Sequence, residues 1–338
     1  MSQTKFTEDK YLYWAKPSDF IKGRDALGIQ NSSAVIYATL LPGITNLTRR
    51  MRYYGFFSWL LKMYDEPSIS KDSKSQQYQF IRRAELTIAF YMQLNHPDFG
   101  DVPGKLFAND FTNQFEQRQE IDIAEGADKG NFMIDDKGVE RNYWKYISGA
   151  FGQYYSGGMI TLGLIRQQDR VYFLNEKGLQ LANAFDQRLP NAEKAYLLEV
   201  IEKGILYSKG MPLLSAFDMS KVPLFEEEWQ KYMQLLLEPD TGERQTFYRK
   251  NTLLNFLHLR QKGVENSTQI LGEYFFQHTD NIRFETDSTR FGWYWYYAHE
   301  LVHYSMEHSF NTMLHRMKDD LYSIDDFLNL QVNDLESY

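Results

Sequence analysis

The sequence of 338 residues contains no cysteine. Disulfide bonds, catalytic thiolates and cysteine-ligated zinc are therefore excluded. The common nucleotide-binding loops are also missing, because neither a G-x-x-x-x-G-K-[ST] run nor a G-x-G-x-x-G run occurs. The lack of a G-x-S-x-G elbow disfavours a serine hydrolase as well. These absences argue against a nucleotide-driven motor and against the familiar forms of nucleophilic catalysis.

No apolar run approaches the length that a membrane span requires. The first residues, MSQTKFTEDKYLYWAK, lack the charged start, apolar middle and small-residue cleavage site of a secretory signal. Prolines number only nine, and no long low-complexity tract occurs, so little disorder is predicted. We therefore expect a cytoplasmic protein with no membrane partner.

The composition itself is that of a globular protein. Hydrophobic residues make up 43% of the chain and charged residues 24%, with a formal net charge of −8. Aromatic residues reach 16%, including 24 tyrosines and 24 phenylalanines, so large side chains are available for helix packing. At this length we expect two or three domains.

Residues 143–185 carry the clearest local pattern. A helix is expected to run into the apolar run Leu162–Ile165, and a hairpin then spans Arg166–Leu174 across a polar tip. Asn175 is a suitable N-cap for a final helix. The apolar residues of that helix recur on one face, and they are Leu179, Leu181, Ala182 and Phe185.

This order of helix, strand, polar tip, strand and Asn-Glu-Lys-Gly helix start resembles the end of many bacterial winged-helix domains. The resemblance covers residues 141–186. In such domains the recognition helix and the hairpin tip contact DNA. The resemblance therefore implies a set of DNA-binding residues, namely Arg141, Lys145, Gln153, Tyr154, Tyr155, Arg166 and Arg170.

The local charge of this segment bears on its partner. Between Arg141 and Arg188 there are six basic and three acidic residues, in a chain that is acidic overall. Phosphate contact needs such cations, although strong binding to a duplex normally comes with a denser basic surface. Two partners therefore stay open, which are double-stranded DNA and a protein that packs against the hairpin.

The stretch Ile36–Glu66 is bulky and helical in pattern, and it is entered through a turn at Pro42 and Gly43. Three arginines lie near the start of its helix, where the helix dipole disfavours cations, and they are Arg49, Arg50 and Arg52. They are explained either by ion pairs with carboxylates such as Glu85 or Asp65, or by a phosphate-bearing ligand.

Part of the same stretch, LLPGITNLTRRMRYYGFFSWLL, resembles a motif in uncharacterised bacterial proteins of genomic defence islands against phage. The resemblance implies an accessory role in antiviral defence. It does not imply a reaction.

Helical patterns dominate the rest of the chain, and they span Gln77–Leu94, Ala192–Leu206, Glu226–Leu237, Gln245–Leu259 and Thr268–His278. The polar segment Asn113–Gly138 is either an exposed connector or holds the first helices of the winged module. We predict a mainly α, irregular multi-helix protein with a central winged-helix module carrying a small β-hairpin. Its predicted parts are an N-terminal helical domain (1–110), a winged-helix-like module (111–190) and a C-terminal helical domain (191–338).

One run matches the H-E-x-x-H metal motif, from His299 through Glu300 to His303. Residues four apart share a helical face, so the two histidines could bind one zinc ion while Glu300 acts on a bound water. Glu307 extends this face as a third ligand. The run resembles zinc-dependent peptidases in these residues, but it lacks the x-x-G-x-x-H continuation of the metzincin type. The alternative is a packed aromatic helix whose histidines bond to neighbouring side chains.

Together these patterns favour a non-enzymatic DNA-binding or adaptor subunit of a bacterial complex that acts through the winged-helix module. Such a subunit needs no cofactor, and as an adaptor it would work with a partner such as an ATPase or a nuclease. The alternative is a metal-dependent hydrolase that uses zinc at residues 299–303.

Overall fold

The structure is a computed structural model that describes residues 30–45, 47–66, 74–222, 226–238, 244–264 and 288–316, with positions 323, 325, 328 and 329. The chain forms two compact units. The central unit is Leu41–Lys250, and the terminal unit combines Met1–Leu40 with Asn251–Tyr338. This division differs from the three predicted parts, because residues 111–190 lie inside the central unit together with their neighbours on both sides.

Helices account for most of the described residues. In chain order the α-helices are α1 (Gln30–Leu40), α2 (Arg52–Asp65), α3 (Lys74–Asn95), α4 (Lys105–Asp110), α5 (Thr112–Arg118), α6 (Ile123–Ala127), α7 (Ser156–Thr161), α8 (Glu176–Asp186), α9 (Asn191–Lys203), α10 (Glu227–Leu237), α11 (Arg244–Gln261) and α12 (Ser288–Arg316). A π-helical turn, Phe151–Tyr155, leads directly into α7, and a 3₁₀ helix spans Ser208–Phe217. The predicted helix Thr268–His278 lies outside the described residues.

The strands are short, and they are β1 (Glu120–Asp122), β2 (Met133–Ile134), β3 (Glu140–Arg141), β4 (Ile165–Gln168), β5 (Val171–Leu174) and β6 (Ile205–Tyr207). They form three antiparallel pairs, in which β1 pairs with β6, β2 with β3 and β4 with β5. The mainly α, irregular multi-helix architecture with a small hairpin is therefore confirmed. The segment Asn113–Gly138 is more than a connector, because most of α5 together with β1, α6 and β2 lies within it.

Helix α2 is buried on every face in the middle of the central unit. Tyr53, Phe56, Phe57 and Trp59 are each exposed by no more than 1%. A helix that is apolar all round must be covered on all sides, and α2 packs chiefly against α8, with further contacts to α3. Phe185 of α8 lies with its ring centroid 6.4 Å from that of Phe56. Burial of these aromatic side chains is the main apolar contribution to the stability of the unit.

Two of the three arginines near the start of α2 share one carboxylate. Arg49 and Arg50 lie 3.1 and 3.4 Å from the carboxylate oxygens of Asp101. The guanidinium of Arg50 also lies 4.0 Å from the ring centre of Phe99. These arginines therefore form ion pairs, one of the two predicted explanations, but their partner is Asp101 and not Glu85 or Asp65.

Arg52, the third arginine, is buried inside the unit. Its Nε lies 3.3 Å from Oε1 of Glu228, and its terminal nitrogens donate to the carbonyl oxygens of Ala216 and Asp218. Tyr232 donates to the same Glu228 oxygen at 3.1 Å. A charge in the interior is tolerated only when it is paired and hydrogen-bonded in this way. The interaction joins α2 to α10 and to the end of the 3₁₀ helix.

The terminal unit pairs α1 with α12. Trp293 is buried, and its indole N–H lies 3.0 Å from Oγ1 of Thr252, which in turn donates to the carbonyl oxygen of Leu40 at 2.9 Å. Tyr37 meets Trp293 edge to face at 6.1 Å. Among the helices that the structure describes, none is both long and apolar enough to span a membrane.

Substitution of alanine for glycine is expected to have opposite effects on stability at two helical positions. A Cβ on Gly55 would press against the Tyr232 hydroxyl and lie 2.9 Å from Phe185 Cδ2, whereas a Cβ on Gly157 would meet no atom within 4 Å. We expect Gly55→Ala to lower the free energy of unfolding by about 1–3 kcal/mol. Gly157→Ala should raise it by up to about 1 kcal/mol, because alanine favours the helix. Urea denaturation of both variants tests the packing, and equal effects would contradict it.

Candidate functional site

The hairpin formed by β4 and β5 has one buried face and one exposed face. Its cross-strand pairs are Ile165 with Leu174, Arg166 with Phe173, Gln167 with Tyr172 and Gln168 with Val171. Ile165 and Tyr172 are buried in the core. Because side chains alternate along a strand, Arg166 and Phe173 share the other face, with the guanidinium 5.3 Å from the ring centre. The hairpin predicted at Arg166–Leu174 is therefore confirmed, and it begins one residue earlier.

The tip of this hairpin is a strained two-residue turn. Asp169 and Arg170 have φ angles of 50° and 66°. Two positive φ values are the mark of the type I′ turn, which suits the twist of a short hairpin but favours Asn or Gly. Aspartate tolerates this backbone region, whereas arginine rarely adopts it. Arg170 is therefore held exposed at the tip at some cost in backbone energy.

Two side chains of α3 hold the hairpin in place. The amide of Gln77 donates to the carbonyl oxygen of Tyr172 at 2.8 Å and accepts from its backbone N–H at 2.9 Å. The hydroxyl of Tyr78 donates to the carbonyl oxygen of Arg170. The turn that carries the arginine is thus fixed from below, and the hairpin is a rigid element of the central unit.

The helix before the hairpin differs from the prediction at its end. It comprises the π-helical turn and α7, and it stops at Thr161, because Gly163 adopts a left-handed φ of 71°. Leu162 and Leu164 then turn into the core instead of continuing the helix. The exposed residues of this helix are Gln153, Gly157, Ile160 and Thr161. Its surface therefore carries no positive charge.

Helix α8 follows Asn175 as predicted, but the side chain of Asn175 does not cap it. That side chain donates to the carbonyl oxygen of Gly163 at 3.3 Å and accepts from Arg166 at 3.4 Å, so it fastens the hairpin instead. Three residues of the predicted apolar face, Leu181, Ala182 and Phe185, are buried, whereas Leu179 is 39% exposed.

The residues implied by the winged-helix resemblance separate into two places. Arg166 and Arg170 stand exposed on the hairpin. Arg141, Tyr154 and Tyr155 line a cleft elsewhere on the central unit, and Gln153 accepts a hydrogen bond from a wall residue of that cleft. Lys145 is exposed in the segment between Arg141 and Gln153.

The prediction that Tyr155 contacts DNA is wrong. Its side chain is only 1% exposed, and its ring packs against the rings of Tyr53, Tyr54 and Phe57 at centroid distances of 5.1–5.8 Å. Burial also raises the pKa of its hydroxyl, which stays protonated. Tyr155 is a core residue that reaches the cleft only from beneath.

The cleft has a volume of about 910 Å³. We call it the aromatic cleft, and it is lined by residues 97–107, 109–110 and 141–144, by Tyr154 and Tyr155, and by Leu47, Arg49 and Gln93. Its size lies in the range of small-molecule sites. The sequence pattern did not reveal it, because the walls come from segments far apart in the chain.

Arg141 is a half-buried cation of the aromatic cleft. Its Nε lies 2.9 Å from Asp135 Oδ2 and 3.5 Å from Asp110 Oδ2. Asp135 is itself fixed by the backbone N–H groups of Val139 and Lys137. The pKa of Asp135 lies below its ordinary value, mainly because of the hydrogen bond from the Val139 N–H and also because of the hydrogen bond from Arg141. The carboxylate is therefore ionised and orients the arginine.

Lys105, another cation of the aromatic cleft, is committed to the backbone. Its ammonium donates to the carbonyl oxygens of His96, Pro97 and Phe99. Partial burial lowers its pKa, with Asp98 acting in the opposite direction. The lysine thereby closes the loop after α3, and all three of its N–H donors are used.

A buried carboxylate supports the wall that carries Tyr143. Glu85 of α3 accepts hydrogen bonds from the Tyr143 hydroxyl at 2.8 Å and from the backbone N–H groups of Ala150 and Phe151 at 3.2 and 2.5 Å. Burial raises the pKa of Glu85 to about 7, although these hydrogen bonds and Arg82 oppose the rise. The pKa of Tyr143 is also raised well above its ordinary value, by burial and by Glu85.

The residues of the H-E-x-x-H motif lie on α12 in the terminal unit. His303 is 8% exposed, and its Nε2 lies 3.0 Å from Oε1 of Glu307 while its Nδ1 lies 3.9 Å from Oε1 of Glu300. The ring of His299 lies 6.1 Å from that of Trp295. Within the described ranges, no group of three or more histidine and acidic side chains is arranged to hold a metal ion.

Comparison of the chain with protein-family models, with curated proteins and with solved structures gives no match.

Titration of Glu85 predicts a pH-dependent stability. Its pKa of about 7 in the folded protein exceeds the ordinary value of 4.5, so the folded state binds more protons between these values. The contribution of Glu85 to the free energy of unfolding is therefore complete below about pH 4.5 and is lost as the pH rises through about 7. Its magnitude is on the order of 3 kcal/mol at most.

The variant Glu85→Gln removes this titration. We expect stability to fall less between about pH 5 and pH 8 in Glu85→Gln than in the parent, as measured by urea denaturation. Glu116→Gln, a change of an exposed carboxylate, is the control and should keep the parental pH dependence. An unchanged pH dependence in Glu85→Gln would disprove the assignment.

Proposed function

We propose that the chain is a binding subunit that docks onto double-stranded DNA through the hairpin of β4 and β5 and the helix before it. The observation that supports this most directly is the rigid presentation of Arg166 and Arg170. Both are exposed, Arg170 sits on a turn fixed by Tyr78, and Arg166 is braced against Phe173 and Asn175. The order of helix, hairpin and helix is that of the winged-helix domains which this segment resembles.

The charges on the module predict moderate binding, with a salt dependence set by about two or three phosphate contacts. Arg166, Arg170 and Lys145 are exposed cations, and Asp169 is an exposed acid between the two arginines. Each phosphate contact releases about one counterion, so binding by few cations weakens as salt rises, but less steeply than binding by a dense basic surface. The helix from Phe151 to Thr161 offers a hydroxyl, an amide and apolar surface but no cation. The hairpin would therefore supply most of the binding energy.

A protein partner is the second candidate, and exposed apolar side chains around the same helix favour it. Tyr146, Ile147 and Ile160 are exposed by 52%, 40% and 43%. A helix surface with apolar residues and without cations suits a protein interface better than a phosphate backbone. In this version the chain is an adaptor for a partner such as an ATPase or a nuclease, and the resemblance to phage-defence proteins gives it a biological setting.

A third candidate, a zinc-dependent hydrolase, rests on the H-E-x-x-H motif and on the contact of His303 with Glu307 in α12. The two side chains already lie within ligand reach of one another on one helical face. In this candidate His299, His303 and Glu307 would be the zinc ligands, so His303 and Glu307 would have to give up their mutual contact to bind the metal. Glu300 would then act on a zinc-bound water.

The double variant Arg166→Glu/Arg170→Glu tests the duplex proposal. We expect it to weaken binding of duplex DNA by at least about tenfold at low salt, and to reduce the salt dependence by about two phosphate contacts. Arg118→Glu/Lys129→Glu changes the net charge equally at exposed positions outside the hairpin and should bind like the parent. Mobility shifts with matched thermal unfolding measure both. The proposal is contradicted if the parent does not bind the duplex, or if both double variants bind it equally well.

Metal analysis tests the hydrolase candidate. If the chain is a zinc hydrolase, protein purified without an affinity tag should contain about one equivalent of zinc per chain. His303→Ala and Glu307→Ala should lose it, whereas His258→Ala, a change of an exposed histidine on α11, should retain it. A content below roughly a tenth of an equivalent of zinc, manganese or iron would exclude this candidate.

A further inference from the structure

The aromatic cleft contains an arginine that is oriented but not saturated. Arg141 uses its Nε to bind Asp135 and Asp110, and within the part of the chain that the structure describes no acceptor contacts its terminal nitrogens. A guanidinium presents its remaining N–H groups as a planar fork that matches two oxygens of a phosphate. Fixing the Nε side with carboxylates leaves this fork ready for an anion in the cleft.

Beside this arginine stand two half-buried aromatic rings. Trp144 and Tyr154 lie edge to face with centroids 5.4 Å apart. The indole N–H of Trp144 donates to the side-chain oxygen of Gln153 at 2.9 Å, and its backbone N–H donates to Asn142 Oδ1 at 2.9 Å. These hydrogen bonds fix the ring position before any ligand arrives. Fixed aromatic faces of this kind stack on flat heterocycles.

The charges of the cleft limit the ligand to one with few anionic groups. Arg49 is paired with Asp101, and Lys105 is held by backbone carbonyls. Asp98 and Asp110 also line the cleft and would repel a densely charged polyanion. One phosphate on Arg141 is compatible with this balance, and the volume of about 910 Å³ leaves room for an attached ring system.

We propose that the aromatic cleft binds a nucleoside monophosphate unit, with the phosphate on Arg141 and the base against Trp144 and Tyr154. The unit comes either from a free nucleotide or from an unpaired nucleotide within a single strand, since both carry the same base and phosphate. The proposal is independent of duplex docking, because neither Arg166 nor Arg170 lines the cleft.

Titration calorimetry with nucleoside monophosphates tests the cleft directly. The matching nucleosides and inorganic phosphate serve as ligands that each lack one half of the unit. We expect the monophosphate to bind more tightly than either half. Fluorescence anisotropy with a labelled single strand of about eight thymidines then distinguishes the sources. Tight binding of the monophosphate alone indicates a free nucleotide, and tight binding of the strand alone indicates an unpaired nucleotide.

Three variants separate binding from stability. Arg141→Gln should weaken binding by about tenfold or more through loss of the charged fork, with Arg141→Lys between it and the parent. Tyr154→Leu should weaken it by about tenfold through loss of stacking while keeping apolar bulk. Arg118→Gln, a change of an exposed arginine outside the cleft, is the matched control. Circular dichroism and thermal unfolding check that each variant is folded.

If neither the monophosphates nor the strand binds the folded parent at millimolar concentration, the cleft is not a nucleotide site. The same conclusion follows if folded Arg141→Gln and Tyr154→Leu both bind like the parent. The variant Arg166→Glu/Arg170→Glu should retain monophosphate binding, so a failure of the duplex proposal leaves a different pattern from a failure of this one.

Discussion

The arrangement of the candidate site depends on the buried pair Arg82 and Glu85 in α3. Glu85 accepts hydrogen bonds from the Tyr143 hydroxyl and from the first N–H groups of the π-helical turn. Arg82 donates hydrogen bonds to the backbone carbonyl oxygens of Ala127, Trp144 and Tyr146. One helix thereby fixes, through two buried side chains one turn apart, the irregular segment that forms a wall of the aromatic cleft. The N–H groups at a helix start attract an anion, so the carboxylate also fixes where this helix begins.

The same constraint explains a close approach at Gly149. Its φ is 65°, and a Cβ there would fall against the carboxylate of Glu85. Glycine is therefore needed both for the backbone conformation and for space. Gly149 lies between the wall of the cleft and the helix before the hairpin. The start of that helix is fixed here, because the backbone N–H groups of Ala150 and Phe151, the next two residues, donate to Glu85.

Local patterns in the sequence were sufficient for the hairpin and for the start of α8. Alternating side chains, a polar tip and a helix-starting Asn are signals within a few residues of one another. The role of the Asn175 side chain was not predictable, because its acceptor, the carbonyl oxygen of Gly163, depends on where α7 ends. The burial of Tyr155 was missed for a related reason. A π-helical turn contains more residues than an α-helical one, so a single helical period does not describe this segment.

The cleft and the pairing of Arg52 could not be predicted, because both depend on contacts distant in sequence. Glu228 is 176 residues from Arg52, and the walls of the cleft join α4 and its preceding loop to Arg141 and Tyr154. The sequence does contain a partial signal for the position of Arg141. The run Asp135-Asp136-Lys137-Gly138 has the composition of an aspartate-stabilised turn, and Asp135 does accept from the N–H groups of Lys137 and Val139. A turn of this kind places an ionised carboxylate near the strand that carries the arginine.

The clamp by Gln77 has a consequence for how the hairpin can meet other molecules. In a two-residue hairpin, the pair next to the turn exchanges hydrogen bonds and the following pair does not, so the N–H and C=O groups of Tyr172 point away from β4. Gln77 occupies both groups. An incoming strand therefore cannot pair with β5 at this position, which protects the edge there against aggregation by strand pairing. A partner that meets β5 at Tyr172 must recognise side chains and not the backbone.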